Sequence, residues 1–170
     1  TAGRAGAAGP VAAPLRSIAG NSPEMGQPTP PYAALLLLAA FSRHPGALEW
    51  SRRRATEAWG AIALEKPPAD FSETDYYQAT MGSGLRKTFF VFDGLFDPAR
   101  LSAVKRQANR WEEEYRAAAD HAEPRPLNLD PGYLTLGKLV LASTKNHAHR
   151  IYLAEGIYAE VTLFYRGRRW

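Results

Sequence analysis

The chain has 170 residues, of which 45% are hydrophobic and 22% charged, and its formal net charge is +4. This length allows one domain with a substantial core and is too short for two domains of ordinary size. The sequence contains no cysteine, which excludes disulfides, thiolate metal ligands and cysteine nucleophiles. The positive net charge is small, and the sequence lacks the dense basic stripe that is typical of nucleic-acid-binding proteins.

The first 31 residues are rich in Ala, Gly and Pro and carry almost no large apolar side chain. They cannot bury enough surface to offset the entropy of ordering, so we predict a disordered tail over residues 1–31 and one domain over residues 32–170. The aliphatic run 33–41 is about half of the ~20 residues that a membrane helix needs. It predicts a buried strand, with a secretion signal as the less favoured alternative, and hence a cytoplasmic protein without a membrane span.

The next segments alternate between helical and extended patterns. Pro45 and the apolar spacing after it predict a helix over Pro45–Trp59. Residues 61–64 predict a short strand that Pro67-Pro68 ends, and residues 85–92 are rich in strand-forming residues. Between them lies a loop, residues 74–77, whose acids and tyrosines suit either a helix cap or a flexible lid.

A second helix is predicted over residues 98–119, because Asp97 is a good N-cap and apolar residues recur at helical spacing. Lys105, Asn109 and Glu112 lie on one face of this helix, at i, i+4 and i+7. Such a group is either a solvated polar ladder or one wall of a site.

The following residues predict a strand end and a turn over residues 128–133, because Pro131 and Gly132 supply turn geometry. Residues 134–138 suggest a helical turn, and residues 139–143 a further apolar segment.

Two strands joined by a loop at residues 154–156 predict a β-hairpin near the C-terminus. The expected cross-strand pairs are Leu153 with Ile157, Tyr152 with Tyr158, Ile151 with Ala159, Arg150 with Glu160 and His149 with Val161. One face of this hairpin is then apolar apart from His149. The other face is polar, and it is either a solvated surface or part of a site.

The motifs of common catalytic sites are missing from the sequence. Gly82-Ser83-Gly84 lacks the residues that complete a phosphate-binding loop, and no nucleophile elbow is present. His147 and His149, with Asp130 or Glu160, have only weak metal-ligand spacing, so we assign no metal ligands, although a divalent metal is compatible as a cofactor. Asp130, Glu160 and His149 are the candidates for acid–base catalysis, with structural pairing as the alternative.

Four segments carry a resemblance to a known family. They are TDYY...MG..L.K.F at 74–89, K...N..E at 105–112, R..NLDPGYL at 125–134 and LASTKNHAHRIYL..GIYAEVTL at 141–163. Together they resemble a bacterial family known as domain of unknown function 4416. Members of that family continue past the final strand and lack the tail, so the resemblance implies that the domain is cut short at its C-terminus.

The fold that we predict is α+β, with two helices on one face of a mainly antiparallel sheet. The element order suits a ferredoxin-like sandwich with an added C-terminal hairpin.

We further predict a mixed-charge cleft that binds a small anionic ligand, in preference to nucleic acid. The ligand-binding candidates, most of which match the family motif, are Asp75, Tyr76, Tyr77, Lys105, Asn109, Glu112, Arg125, Asn128, Tyr133, Lys145, Arg150 and Tyr158. Because these candidates mix acidic with basic side chains, we favour an enzyme acting on a phosphorylated or nucleotide-like substrate. The alternative is a non-catalytic ligand-binding or interaction module in which the same residues form a structural network.

Overall fold

The computed structural model describes residues 26–71 and 77–170. Within them, Pro31–Trp170 forms one compact unit, and residues 26–33 have no helix or strand. The predicted tail falls mostly outside the described residues, as do the candidates Asp75 and Tyr76. No helix of the described part is both long and apolar enough to cross a membrane.

In its described residues the unit contains seven strands and three α-helices. They are β1 (Ala34–Ser42), α1 (Pro45–Trp59), β2 (Ile62–Asp70), α2 (Gln78–Met81), β3 (Arg86–Phe96), α3 (Leu101–Ala118), β4 (Asn128–Leu134), β5 (Lys138–Ser143), β6 (Ile151–Ala154) and β7 (Ile157–Phe164). The strands form one sheet in the order β2-β3-β1-β4-β5-β7-β6, and every neighbouring pair is antiparallel.

The first four strands and two long helices have the ferredoxin-like arrangement that the sequence predicts. Leu36, Leu38 and Ala40 alternate along β1 and pack in one core with Ala55 of α1 and Ala108 of α3. Because alternate residues of a strand share a face, both helices cover the same side of the sheet. We call this the helix face and the opposite side the far face.

The predicted boundaries of α1 are confirmed. The second predicted helix begins with a 3-10 turn, Pro98–Arg100, before α3. The carboxylate of Asp97 accepts a hydrogen bond from the Ala99 backbone at 3.0 Å, as expected of an N-cap.

The turn predicted at residues 128–133 is wrong, since β4 runs straight through it. The backbone N–H and carbonyl of Leu129 point away from β1 and bond side chains of α3. Alternate residues of a strand point their backbone groups to the same side, so the N–H that Pro131 lacks would also face away from β1. Gly132 lets β5 approach closely, because a Cβ there would lie 2.3 Å from the Val140 carbonyl oxygen. Both residues therefore serve a strand rather than a turn.

The helical turn predicted at residues 134–138 is a tight hairpin connection instead. The Thr135 N–H donates to the Lys138 carbonyl at 2.9 Å, and the Thr135 hydroxyl accepts from the Gly137 N–H at 3.2 Å. The short strand predicted at residues 61–64 is also longer in the structure. β2 is an edge strand that accommodates Pro67-Pro68 in a register shift between Lys66 and Ala69.

The C-terminal hairpin is confirmed, with a small change in register. Ile151 pairs with Ala159 and Tyr152 with Tyr158 as predicted, but Ala154, not Leu153, pairs with Ile157. The turn is the two residues Glu155 and Gly156, with φ of 52° and 77°, because two positive φ values match the twist of the strands.

Candidate functional site

The ladder between β4 and β5 is short, and this opens a notch in the sheet. It pairs only Gly132 to Leu134 with β5, which leaves residues 128–131 without a strand on that side. At Leu129, two side chains of α3 bond the backbone groups that a neighbouring strand would otherwise bond. Glu112 Oε1 accepts from the Leu129 N–H at 2.7 Å, and Lys105 Nζ donates to the Leu129 carbonyl at 2.7 Å.

These two residues belong to a closed ring of polar groups around the notch. Lys105 Nζ lies 2.9 Å from Asp130 Oδ1, and Asn128 Nδ2 donates to Asp130 Oδ2 at 2.8 Å. Arg125 Nη2 donates to Asn128 Oδ1 at 2.5 Å and lies 3.6 Å from Glu112 Oε2. We call the five residues Lys105, Glu112, Arg125, Asn128 and Asp130 the β4 network.

Accessibility rises across the β4 network, from its base to its rim. The side chain of Lys105 is 5% exposed, whereas those of Asp130 and Arg125 are 31% and 38% exposed. Burial raises the pKa of the Glu112 carboxyl, and the charge of Lys105 and the Leu129 N–H offset that rise only in part. The ring therefore has a dry base and a solvent-accessible rim.

The raised pKa of Glu112 gives a pH dependence whose sign can be stated. The folded protein holds this proton more tightly than the unfolded chain, whose ordinary pKa is 4.5. The stabilisation is thus complete below that value and is lost as the pH rises through the folded pKa. We expect the free energy of unfolding of the wild type to fall relative to Glu112→Gln over this window.

Urea unfolding of both proteins at matched pH values, from about 4 to about 7.5, measures this difference. A wild type that gains stability over Glu112→Gln as the pH rises would contradict the assignment.

A second polar group, the hairpin cluster, consists of Ser143, His149, Arg150 and Glu160. Arg150 Nε donates to Glu160 Oε2 at 2.6 Å, and its Nη1 donates to Ser143 Oγ at 2.7 Å. His149 Nε2 lies 3.3 Å from Glu160 Oε2, so His149 faces the polar side rather than the predicted apolar one. Burial raises the pKa of Glu160, but Arg150 and His149 outweigh it and lower the pKa overall.

The β4 network and the hairpin cluster both present carboxylates on the far face. Asp130 pairs with Ala39 of β1, which alternates with the residues that pack against the helices. Gly132, two residues after Asp130, pairs with Leu141, and Leu141 pairs with Glu160. Because paired and alternate residues share a side, Asp130 and Glu160 lie on one face of the sheet.

Tyr77 also belongs to this end of the far face. Its ring lies 4.8 Å from that of Phe41, and Phe41 pairs with Asn128 across the β1–β4 ladder. The Arg125 N–H donates to the Thr80 carbonyl at 3.0 Å, which ties the α2 region to the β4 network. The described end of the predicted 74–77 loop therefore lies beside the notch.

The remaining candidates lie in different places. Tyr158 is on the far face, and its ring lies 5.4 Å from that of Tyr152. Lys145 is exposed in the loop after β5, and its carbonyl accepts from Arg150. Tyr133 packs with the cluster around Leu101 on the helix face, where burial raises its pKa. Asn109 lines a shallow depression with other α3 residues.

One convergent group was not predicted from the sequence. His44, His121 and Glu123 bring ligand atoms within 4.8 Å of one another. They lie in the connections at the ends of β1 and α3, and Glu123 follows His44 by 79 residues. His121 and Glu123 are two residues apart, but no local spacing relates them to His44, so only the fold reveals the group.

The fold and these groups define an α+β protein with a ferredoxin-like core, a sheet extended by three further strands, and a mixed-charge polar surface on the face opposite the helices. A family model described as Domain of unknown function (DUF4416) matches residues 32–170, so the chain belongs to that family. No curated protein and no solved structure matches the chain.

Proposed function

We propose that the far face around the notch binds a small phosphorylated or nucleotide-like molecule and that the protein acts on it as an enzyme. The observation that carries the proposal is the β4 network, which holds a nearly buried ammonium, an accessible guanidinium and an accessible carboxylate around one opening. Preorganised groups of both signs are typical of sites where an anion is bound and a proton is moved.

Arg125 is the best placed anion contact. Its hydrogen bond and its ion pair within the described residues both use Nη2, which leaves Nε and Nη1 for a ligand. A guanidinium can present two parallel donors to a phosphate, and such bonds are strong because both partners are charged. Lys105 Nζ donates two hydrogen bonds to described groups and has a third N–H that could meet the same anion.

Asp130 is the proposed acid–base group, because its carboxylate reaches the rim while Lys105 and Asn128 fix both of its oxygens. A proton acceptor must be held within hydrogen-bond reach of the reacting group, and a fixed carboxylate meets that geometric condition. Glu160, with His149 beside it, is the candidate on the hairpin side of the same face.

The alternative is a module that binds a ligand or a partner protein without catalysis. It is favoured by the hydrogen bonds of Lys105 and Glu112 to the Leu129 backbone. It is also favoured by Arg150, whose guanidinium already donates to Glu160, Ser143 and Lys145. These bonds support the fold by themselves, so catalysis rests on Asp130 rather than on the whole group.

Thermal-shift screening with inorganic phosphate, nucleotides, sugar phosphates and divalent metals tests the binding step. We expect phosphorylated compounds to raise the melting temperature, and Arg125→Ala to weaken their binding at least tenfold, because a hydrogen bond to a charged group contributes about 1.5–3 kcal/mol. Arg110→Ala, the same change at an exposed position of α3, should bind as the wild type does. Equal binding by all three proteins would refute the anion site.

The same ligands separate the enzyme from the module. Asp130→Asn keeps an oxygen for Lys105 but loses the acceptor for Asn128 Nδ2, so its ligand affinity is measured first. At saturating substrate it should turn over about 100-fold more slowly. Turnover that survives in Asp130→Asn would remove Asp130 from the mechanism. A ligand that binds wild type at Arg125 and is never turned over would favour the module.

A further inference from the structure

Two histidines and a carboxylate meet at one end of the sheet, apart from the residues of the β4 network. His44 Nε2 lies 3.1 Å from Glu123 Oε2, and the rings of His44 and His121 stack with centroids 3.9 Å apart. All three side chains are partly buried, and the ligand atoms that they offer lie within 4.8 Å of one another. Imidazole nitrogen and carboxylate oxygen are donors that zinc prefers in proteins.

Neighbouring groups fix the backbone of His44 and contact the ring of His121. The backbone of His44 connects β1 to α1, since its N–H donates to Ser42 Oγ at 2.9 Å and its carbonyl accepts from the Ala47 N–H at 3.0 Å. His121 Nε2 lies 3.1 Å from the Tyr115 hydroxyl. When a histidine binds a metal, a hydrogen bond to its other nitrogen fixes the ring, and Tyr115 is placed for that task at Nδ1-ligated His121.

Glu123 is a charged ligand candidate with a cation already beside it. Its carboxylate is held by two neighbours, His44 at Oε2 and Arg43 at Oε1. Arg43 Nη1 lies 2.8 Å from Glu123 Oε1, and the Arg43 side chain is 42% exposed. A metal ion would take over the charge compensation that Arg43 now supplies.

We infer that His44, His121 and Glu123 bind a Zn²⁺ ion. The ligands of a tetrahedral zinc lie roughly 3.4 Å apart, since each is about 2.1 Å from the metal. The widest separation, 4.8 Å, must close by about 1.4 Å, and one of the two stacked rings must turn so that both ring nitrogens face the ion. Three protein ligands leave a fourth position for water or a ligand, the pattern of catalytic rather than structural zinc sites. This inference does not depend on the anion site.

Calorimetric titration of chelator-treated, desalted protein with zinc chloride tests the site. The wild type should bind one Zn²⁺ per chain, and His44→Ala and His121→Ala should each bind at least tenfold more weakly. His147→Ala, a change of an exposed histidine outside the group, should match the wild type. Absorption of the Co²⁺-substituted wild type should show a low-symmetry site, and the signal should be lost in His121→Ala.

Two conservative variants still test the zinc site if an alanine variant unfolds. Glu123→Gln keeps the shape of the side chain and should also lose at least tenfold in affinity. Tyr115→Phe removes only the hydroxyl that orients His121 and should weaken binding about tenfold, while metal-free unfolding changes little. Absence of stoichiometric binding by the wild type, or full affinity in Glu123→Gln and Tyr115→Phe, would overturn the inference.

Discussion

Replacing Lys105 with methionine is expected to lower the free energy of unfolding by about 3 kcal/mol, the low end of the range for breaking a buried ion pair. The ammonium is 5% exposed and bonds both the Asp130 carboxylate and the Leu129 carbonyl. Methionine fills a similar volume but removes the donor from Asp130 Oδ1 and from the Leu129 carbonyl, and leaving a buried acceptor unpaired costs more than the hydrogen bond itself contributes. The exposed part of Asp130 keeps the estimate at the lower end.

Urea unfolding of Lys105→Met and Lys138→Met measures this effect, because the second variant removes an exposed lysine in β5. Lys138→Met should stay within about 0.5 kcal/mol of the wild type. A loss below about 1 kcal/mol in Lys105→Met would show that α3 does not hold the open edge of β4.

Gly132→Ala is expected to destabilise the protein by about 3 kcal/mol, since it forces β4 and β5 apart. The new Cβ would lie 2.3 Å from the Val140 carbonyl oxygen and 2.7 Å from Leu141 Cδ2. The first of these is backbone in the paired strand, so no side-chain rotation relieves the overlap. Because β5 joins β7 and β6 to the rest of the sheet, the far face should be disturbed as well.

Gly137→Ala is the matched control, because a Cβ at Gly137 meets nothing within 4 Å. Thermal unfolding should place this variant within about 0.5 kcal/mol of the wild type. Equal melting temperatures for Gly132→Ala and Gly137→Ala would mean that the close approach of β4 and β5 is not required.

Elements with strong local signals could be predicted from the sequence. Pro45 and the apolar spacing define α1, Asp97 marks the start of the second helical segment, and alternation in the C-terminal strands gives two of the hairpin pairs. In each case propensity, capping and hydrophobic pattern agree, and agreement across levels makes a local prediction reliable.

Pro131 and Gly132 show where local signals fail. Their turn propensity is real, but the long-range partner of each backbone group decides the structure. Pro131 is tolerated in β4 because its missing donor lies at an edge without a strand, and Gly132 because β5 approaches it closely. Neither fact can be read from the neighbouring residues, since both depend on where β5 lies.

The sequence singles out the members of the β4 network but not the contacts that they make. The sequence placed Lys105 and Glu112 on one helix face, and the structure shows that both bond the backbone of Leu129. Helical spacing identifies neighbours on the helix but not the strand that they reach. His121 and Glu123 are two residues apart, but nothing in the sequence places His44, which lies in another connection, beside them.

A crystal structure with the phosphorylated compound that gives the largest thermal shift tests the proposed function most directly. We predict a phosphate on the far face, hydrogen-bonded to Arg125 and within reach of Lys105 and Asp130. A phosphate in the C-terminal depression lined by Arg166, Arg169 and Trp170, with none at Arg125, would contradict it.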